Sequence, residues 1–335
     1  MKRFAKPILW LAVGFALLAI VIWKSDPVAT WRHVVGALAH PWLLAGAVLL
    51  MAVTIGGFLA KWHLMSRLAG ARVDWRQSLR LFGTLFLIGT FTPARAGELA
   101  VPLLMRGGGR LTGVALVNRI IEAAITVCMG TVALLLVFTS GHPARDYSVL
   151  GGLLAVFLFA MLVLSRRRWT ERVVEALGTC LRPLARWKPA ARLLEKEDRI
   201  RAALGPFYEA NEKVLRWYNV ALLAAIITGI WLVMVWANYL LWQATISSEG
   251  GPDITMPHLI ALMAVIAVSI FASPTPGGLG VSEGASILFL RQLGYTQNLM
   301  PLLLLSRLGL YMAAVLLFAA SRWFGEPLPA AEADS

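Results

Sequence analysis

The sequence predicts an all-α polytopic membrane protein, with about six full transmembrane helices and two re-entrant hairpins broken by proline and glycine. Of its 335 residues, 59% are hydrophobic and only 15% are charged, whereas about 25% are charged in an average soluble domain. Apolar windows of about 20 residues, enough to cross roughly 30 Å of hydrocarbon, recur along the chain. We therefore expect a single membrane domain over residues 1–335.

Six stretches are predicted to cross the membrane completely. They cover about residues 7–24, 42–62, 113–138, 148–165, 217–243 and 299–322. The first follows Lys2, Arg3 and Lys6, as in the first part of a signal peptide. No small-residue cleavage site comes after it, so we expect an uncleaved signal anchor.

Two further apolar stretches, at about 78–91 and 257–272, are too short to cross the membrane unaided. The first runs into a break with the sequence Thr92-Pro93-Ala94-Arg95-Ala96-Gly97-Glu98. The second runs into a break that ends at Glu283 and contains Pro274, Pro276, Gly277, Gly278 and Gly280. A helix that stops inside the bilayer leaves backbone groups unpaired, which is tolerated only inside protein or beside a watery cavity. Short helical segments follow, so the sequence predicts hairpins over 78–105 and 257–291.

The distribution of basic residues predicts which loops face the cytoplasm. Five of them are assigned together to one cytoplasmic loop region: Lys61, Arg67, Arg72, Arg76 and Arg80. Residues 166–216 hold 13 Lys and Arg against 7 Asp and Glu, while segments 139–147 and 244–256 have almost no positive charge and are assigned to the opposite side. Both termini are then expected in the cytoplasm, and the net charge of +13 is attributed to topology, without a nucleic-acid partner.

With this topology the two hairpins enter the membrane from opposite sides, each between two full spans. Residues 42–138 and 217–323 would then form an inverted repeat, the plan of many secondary transporters with a site near the bilayer midplane. Residues 166–216 are predicted to be a basic cytoplasmic segment. Its mixed composition suits either amphipathic helices on an anionic membrane surface or a solvated connector.

Six ionisable residues are predicted to lie inside the membrane: Arg95, Glu98, Arg119, Glu122, Glu283 and Arg307. An arginine near the bilayer centre costs roughly 2.5–3.5 kcal/mol on insertion scales, so such a residue usually has a partner. Arg119 and Glu122 are also spaced for a local i,i+3 ion pair, and Arg119 is close enough to the headgroups to snorkel. An isolated carboxylate would take up a proton, and the sequence does not decide between pairing and proton carriage. Helix starts after Pro93 and Gly280, together with arginines, favour a phosphate.

Patterns that suggest enzymes or metal sites lack the surroundings that those sites require. Gly280-Val281-Ser282-Glu283-Gly284 matches the G-x-S-x-G pattern of serine hydrolases, but neither the strand-turn-helix context nor the acid and histidine partners are evident. The five histidines are scattered, and two cysteines build neither a disulfide framework nor a thiolate cluster. We therefore expect no catalytic residues, no metal and no cofactor.

At both breaks the sequence resembles the lysylphosphatidylglycerol synthase transmembrane region, a flippase-like integral membrane family. The resemblance spans roughly residues 7–323 and rests on four elements: Pro93 to Glu98 as Pro-x-Arg-x-Gly-Glu, Arg119 followed by Glu122, Pro274 to Glu283 as Pro-x-Pro-Gly-Gly-Leu-Gly-x-x-Glu, and Arg307 in the last span. It implies translocation of a lipid between leaflets of a bacterial inner membrane. The soluble aminoacyltransferase domain of the best-known relatives is not found in this sequence, so we expect no synthase activity.

The leading hypothesis is a lipid transporter that moves an anionic phospholipid or a polyprenyl-phosphate lipid through a polar cavity. Its headgroup candidates are Arg95, Arg119 and Arg307; its counter-ions or proton carriers are Glu98, Glu122 and Glu283; its hinges are Pro93, Gly97, Pro274, Pro276, Gly277, Gly278 and Gly280. One alternative is a membrane-embedded enzyme that acts on a lipid phosphate or polyprenyl-phosphate carrier, with Glu98 or Glu283 as base. The other is a transporter of small solutes or ions.

Overall fold

The computed structural model describes residues 2–71, 73–90, 92, 109–137, 166–168, 171, 172, 175, 176, 179, 208, 209, 211–247, 251–273 and 275–324. Nine helices of the described residues carry the fold: α1 (Lys2–Lys24), α2 (Pro27–Ala37), α3 (Pro41–Leu68), α4 (Trp75–Thr90), α5 (Gly109–Val137), α6 (Trp217–Thr245), α7 (Met256–Ala272), α8 (Val281–Gln292) and α9 (Met300–Phe324). The predicted all-α polytopic membrane fold is confirmed.

Four of these helices are long and apolar enough to cross a membrane: α3, residues Gly113–Ala133 of α5, α6 and α9. They correspond to the spans predicted at 42–62, 113–138, 217–243 and 299–322. The span predicted at 7–24 is helical as α1, and the span predicted at 148–165 lies outside the described residues. Most of the basic segment 166–216 is outside them as well.

The sequence prediction missed α2, which turns by 90° from the second half of α1. Its start has the ordinary signals of a helix N-terminus, because Pro27 occupies the first turn and the Asp26 carboxylate accepts hydrogen bonds from the N–H groups of Val28 and Ala29 at 3.1 Å. On the other side of the corner, the Asn298 amide donates to the carbonyl of Ser25 at 2.7 Å. The corner between α1 and α2 is thus tied to the start of α9.

The second predicted hairpin is a helix, a break and a second helix, with α7 ending at Ala272 and α8 beginning at Val281. Three glycines of the break have positive φ: Gly277 at 56°, Gly278 at 72° and Gly280 at 77°. Glycine takes this left-handed conformation without the steric cost that a Cβ adds. The structure therefore explains why the break is rich in glycine, and α7 packs back against α8.

The first predicted hairpin is described only in part. α4 ends at Thr90, within a residue of the predicted end of its first arm. Pro93, Arg95, Gly97 and Glu98 lie outside the described residues, and so does Pro274 of the second break. The re-entrant course of both hairpins stays a prediction.

The connection between α6 and α7 is held by side chains at the end of α6. The Trp242 indole N–H donates to the carbonyl of Pro252 at 3.0 Å, and the Asp253 carboxylate accepts from Gln243 at 3.0 Å and from Ser247 at 2.8 Å. These two side-chain hydrogen bonds stabilise the charged form and lower the pKa of Asp253. The start of α7 is thereby fixed beside the end of α6.

The main helix contacts join the two halves of the chain: α3 packs along α6, α4 along α9, and α5 along α7. Small residues allow close approach, since a Cβ on Gly83 of α4 would lie 2.5 Å from the Ser321 Cβ of α9, and one on Gly130 of α5 would lie 2.6 Å from the Ala264 Cβ of α7. The set of main contacts is unchanged when α3 exchanges with α6, α4 with α7, and α5 with α9. Whether residues 42–138 and 217–323 are inverted in a membrane stays a prediction.

Replacing Gly280 by alanine should destabilise the break. The new Cβ would lie 2.3 Å from the Leu17 Cβ and 2.7 Å from the Leu18 N of α1, and the left-handed backbone adds strain of about 1–3 kcal/mol. We expect a fall of about 2 °C or more in the apparent Tm of the purified protein in detergent.

Gly284→Ala is the matched control, one turn further along α8. Its Cβ would meet nothing closer than Val21 Cγ2 at 3.9 Å, and alanine favours a helix interior by roughly 0.5–1 kcal/mol over glycine. Its Tm should be unchanged or raised. Equal losses in both variants would contradict the strained geometry assigned to Gly280.

Candidate functional site

The first ionic cluster joins the second break to α9 through Glu283 and Arg307. Glu283 lies in the first turn of α8 and is only 2% exposed. One carboxylate oxygen accepts from the N–H of Gly280 at 2.8 Å and from the Ser282 hydroxyl at 3.2 Å, and the other accepts from Arg307 Nε. The carboxylate thus satisfies a backbone donor at the helix start as well as a guanidinium charge.

Arg307 in turn satisfies the break from the side of α9. Besides Glu283, its guanidinium donates to the carbonyl oxygen of Gly277, to the Ser282 hydroxyl and, at 3.3 Å, to the Tyr311 hydroxyl. The arginine predicted in the middle of the last span therefore has a carboxylate and a backbone carbonyl as partners. The sequence analysis did not predict these partners, because Ser282 was considered only as part of a serine-hydrolase pattern and Tyr311 belongs to no motif.

The second ionic cluster is centred on Glu122 of α5. Its carboxylate accepts from the Asn118 amide at 3.1 Å, from Arg119 Nη1 at 3.2 Å, and from Lys61 Nζ of α3. The i,i+3 contact between Arg119 and Glu122 that the spacing allowed is present. Two cations and an amide thus converge on one carboxylate, and the contact with Lys61 links α5 to α3.

The assignment of Lys61 to a cytoplasmic loop was wrong. Lys61 lies within α3, is 2% exposed, and has its ammonium group 4.7 Å from the centre of the Phe58 ring. Because basic residues such as Arg67 follow Lys61 in the chain, the sequence prediction grouped it with them as a loop residue. The signal that identifies it is its place inside the apolar run 42–62, in which it is the single charged residue.

A cavity of about 210 Å³ lies between the two clusters and is here called the headgroup cavity, after the ligand that the sequence predicts. Its volume is more than ten times the roughly 10–15 Å³ that one water requires. Every helix from α3 to α9 contributes to its wall. Of the charged side chains that the structure describes, three line it, Glu122, Glu283 and Arg307, whereas Lys61 and Arg119 contact Glu122 without lining the cavity themselves.

The rest of the cavity wall is largely apolar and aromatic, with a few hydroxyl and amide groups. Its polar uncharged members are Thr54, Thr90, Thr126, Asn238, Ser282, Ser286 and Ser306, and its large apolar members include Met51, Phe58, Phe86, Trp231, Met234 and Met263. Such a wall is apolar along most of its area and offers charge at two places. Within the described ranges no group of three His, Cys, Asp or Glu side chains is placed to hold a metal ion.

The predicted site residues are thus partly accounted for. Arg119 and Glu122 meet in one cluster, Glu283 and Arg307 in the other, and the three hinge glycines have the positive φ values given above. Arg95 and Glu98 lie outside the described residues, so their place beside either cluster stays a prediction. The binding of a headgroup by these arginines is likewise a prediction.

The family model of the lysylphosphatidylglycerol synthase TM region matches residues 8–323, nearly the whole chain. The matched range contains both ionic clusters and every residue that lines the headgroup cavity. Among curated proteins and among solved structures there is no significant match.

Replacing Lys61 by methionine should destabilise the helix bundle strongly. The change removes one of two cations from a buried carboxylate, and breaking a buried ion pair costs about 3–5 kcal/mol when no other partner remains. Because Arg119 still contacts Glu122, we expect the free energy of unfolding to decrease by an amount near or below the lower end of that range. The decrease is measured as a fall in apparent Tm.

The control for this prediction is Arg67→Met, at an exposed position near the end of the same helix. Surface changes of this kind usually stay within about 0.5 kcal/mol. The double variant Lys61→Met/Glu122→Gln should lose less stability than the two single variants lose together, because no unpaired charge of this pair then remains. Strict additivity would argue that Lys61 and Glu122 do not interact.

Proposed function

The chain belongs to the lysylphosphatidylglycerol synthase TM region family, and from that premise we propose that it moves a phosphate-bearing lipid between the leaflets of a membrane. The observation that carries the proposal is the headgroup cavity, with an ionic cluster at each of two places on an otherwise apolar wall. Ionised groups inside a membrane domain are expensive and usually mark a substrate or ion path. We expect this path to lie in a bacterial inner membrane, with both chain termini in the cytoplasm.

The chemistry of both clusters suits a phosphate. Carboxylates and phosphates compete for the same donors, because a guanidinium presents parallel N–H groups to either and an ammonium attracts either charge. Arg307 is held by Glu283 within the cavity wall, so an entering phosphate would share its guanidinium with that carboxylate. In the same way, a phosphate near Glu122 would attract Lys61 and Arg119.

The size of the cavity supports entry of a headgroup without its tails. Its volume of about 210 Å³ is below the roughly 300–1,000 Å³ of pockets that enclose drug-sized ligands. Acyl or prenyl chains would stay in the bilayer, against the exposed apolar side chains of the outer helix faces. Such faces include Leu49 and Val53 of α3 and Leu308 and Val315 of α9, each at least half exposed.

Movement between leaflets requires that the cavity open to each side in turn. The two-fold pattern of helix contacts supports this, because pairs of similar halves rock about a shared central site in many transporters. The glycines of the second break are the natural hinges. Three of them have a positive φ, and glycine has a backbone freedom that other residues lack. Pro93 and Gly97 of the first break are the expected hinges of the other half.

Two rival functions predict different experimental results. A membrane-embedded enzyme needs a general base, and Glu283, the described candidate, already accepts hydrogen bonds from Gly280, Ser282 and Arg307. Product formation from a labelled lipid phosphate by the purified protein would favour the enzyme. A small-solute transporter would move inorganic phosphate into vesicles without moving lipid.

Replacing Arg307 by glutamine should slow lipid translocation. The assay follows exchange of fluorescent phosphatidylglycerol between leaflets in phosphatidylcholine proteoliposomes. A hydrogen bond to a charged group is worth about 1.5–3 kcal/mol, so we expect a fall of roughly tenfold or more. Arg307→Lys keeps the charge but loses the planar fork, and it should retain an intermediate rate.

The matched control is Arg322→Gln, at an exposed position in the last turn of the same helix. Its rate should stay within about twofold of the unmodified protein, because Arg322 contacts neither cluster. Folded protein is verified for each variant by gel filtration before reconstitution. Unchanged exchange in Arg307→Gln would argue against the headgroup role, and lipid exchange no faster than in protein-free vesicles would argue against the function.

A further inference from the structure

A second cavity of about 30 Å³, here called the small chamber, lies beside Glu122. Helices α3, α4 and α5 form its walls, which are aromatic and aliphatic apart from the indole N–H of Trp62 and the side chains of Asn118 and Glu122. One water needs roughly 10–15 Å³, so the chamber has room for water. Glu122 lines the small chamber and the headgroup cavity alike, and its side chain is therefore common to both walls.

Two polar atoms of the chamber residues have hydrogen-bonding capacity that the described part of the protein does not meet. Trp62 Nε1 and Asn118 Oδ1 are both buried without a hydrogen-bond partner, and the two residues are 3% and 7% exposed. Buried donors and acceptors in native proteins are nearly always paired with protein or with ordered water. A water in the chamber that accepted from the indole N–H and donated to the amide oxygen would satisfy both atoms.

The two cavity carboxylates therefore have different surroundings. Glu283 is fixed by three protein donors, the N–H of Gly280, the Ser282 hydroxyl and Arg307 Nε. The first of these donors is a backbone group of the break. Glu122 also accepts from three described donors, but all three are side chains, those of Lys61, Asn118 and Arg119, and its carboxylate borders a chamber that has room for a water.

We propose that Glu122 and the small chamber form a proton-binding site whose occupancy is linked to the binding of an anionic headgroup in the headgroup cavity. The inference rests on the proposed function, because that headgroup is the second ligand. A phosphate beside Glu122 attracts Lys61 and Arg119, and as they turn toward it the carboxylate loses part of the positive charge that stabilises its ionised form. It then takes up a proton. A hydronium in the chamber loses that proton and becomes water, while Glu122 gains an O–H bond.

Among the described residues, Lys61 and Arg119 contact Glu122, and Glu283 and Arg307 line the same cavity. Helix α6, which packs on α5, contains no Asp, Glu, Lys or Arg. Helix α7 also contains none, and its His258 lies in the first turn, where the ring contacts the Tyr295 hydroxyl at 2.9 Å. Protonation of Glu122 thus depends on cations that a phosphate also attracts.

Calorimetric titration of the purified protein in detergent with dioctanoyl phosphatidylglycerol measures the linkage. Repeating the titration in two buffers of different ionisation enthalpy gives the number of protons taken up per lipid bound. We expect uptake approaching one proton per lipid. Because linkage is reciprocal, the affinity should rise as pH falls, by up to about tenfold per pH unit.

Two variants locate the proton. Glu122→Gln should bind the lipid without proton uptake. Trp62→Phe keeps the contact between Lys61 and Glu122 but removes the indole donor, so proton uptake should decrease and its pH midpoint should move lower. Trp236→Phe, at a half-exposed site on α6, is the control and should behave as the unmodified protein does.

The outcomes separate this inference from the proposed function. Lipid binding without proton uptake by the unmodified protein overturns the proton site and leaves lipid transport standing. Full uptake in both Glu122→Gln and Trp62→Phe assigns the proton to another group and also overturns it. If Glu122→Gln does not fold, Trp62→Phe decides between these results. Failure of the unmodified protein to bind the lipid at any pH overturns both proposals.

Discussion

The contact between Glu283 and Arg307 meets the strictest constraint on this protein, which is that polar groups inside a membrane domain must find partners within it. The break before α8 exposes backbone N–H and C=O groups. Glu283 accepts from the N–H of Gly280, and Arg307 donates to the carbonyl of Gly277. The same two side chains neutralise each other. One ion pair therefore makes it possible for the chain to interrupt a helix there, and it anchors the break to α9.

The cluster around Glu122 meets the same constraint in a different way. There the backbone is an unbroken helix, and the carboxylate is stabilised by Lys61 from α3 and by Asn118 and Arg119 from its own helix. The described partners of Glu122 are all side chains, whereas Glu283 also accepts from the backbone N–H of Gly280. This difference underlies the separate roles proposed for the two carboxylates.

The packing of the helices explains why these clusters face one cavity. Contacts of α3 with α6, α4 with α9 and α5 with α7 interlock the two halves of the chain, so residues from each half meet at the centre. Outside this centre the surface is apolar, and Trp42, Trp217 and Trp323 are at least four-fifths exposed near helix ends. Tryptophans at such positions suit the membrane interface. The described helices thus keep two ionic clusters inside and present large apolar side chains on their outer faces.

The sequence by itself determined the class of fold and most of the helices, because long apolar runs and their interruptions are local properties of the chain. It also marked the second break to within about a residue, since Pro and Gly act on the backbone where they stand. The 90° corner at Asp26 was readable from its capping signals but was overlooked.

Only the tertiary structure showed which polar groups meet. Lys61 of α3 reaches Glu122, Arg307 reaches the carbonyl of Gly277, and Trp62 and Asn118 share a chamber. These contacts join residues up to 61 positions apart, and they depend on how whole helices pack, which no local pattern in the chain records.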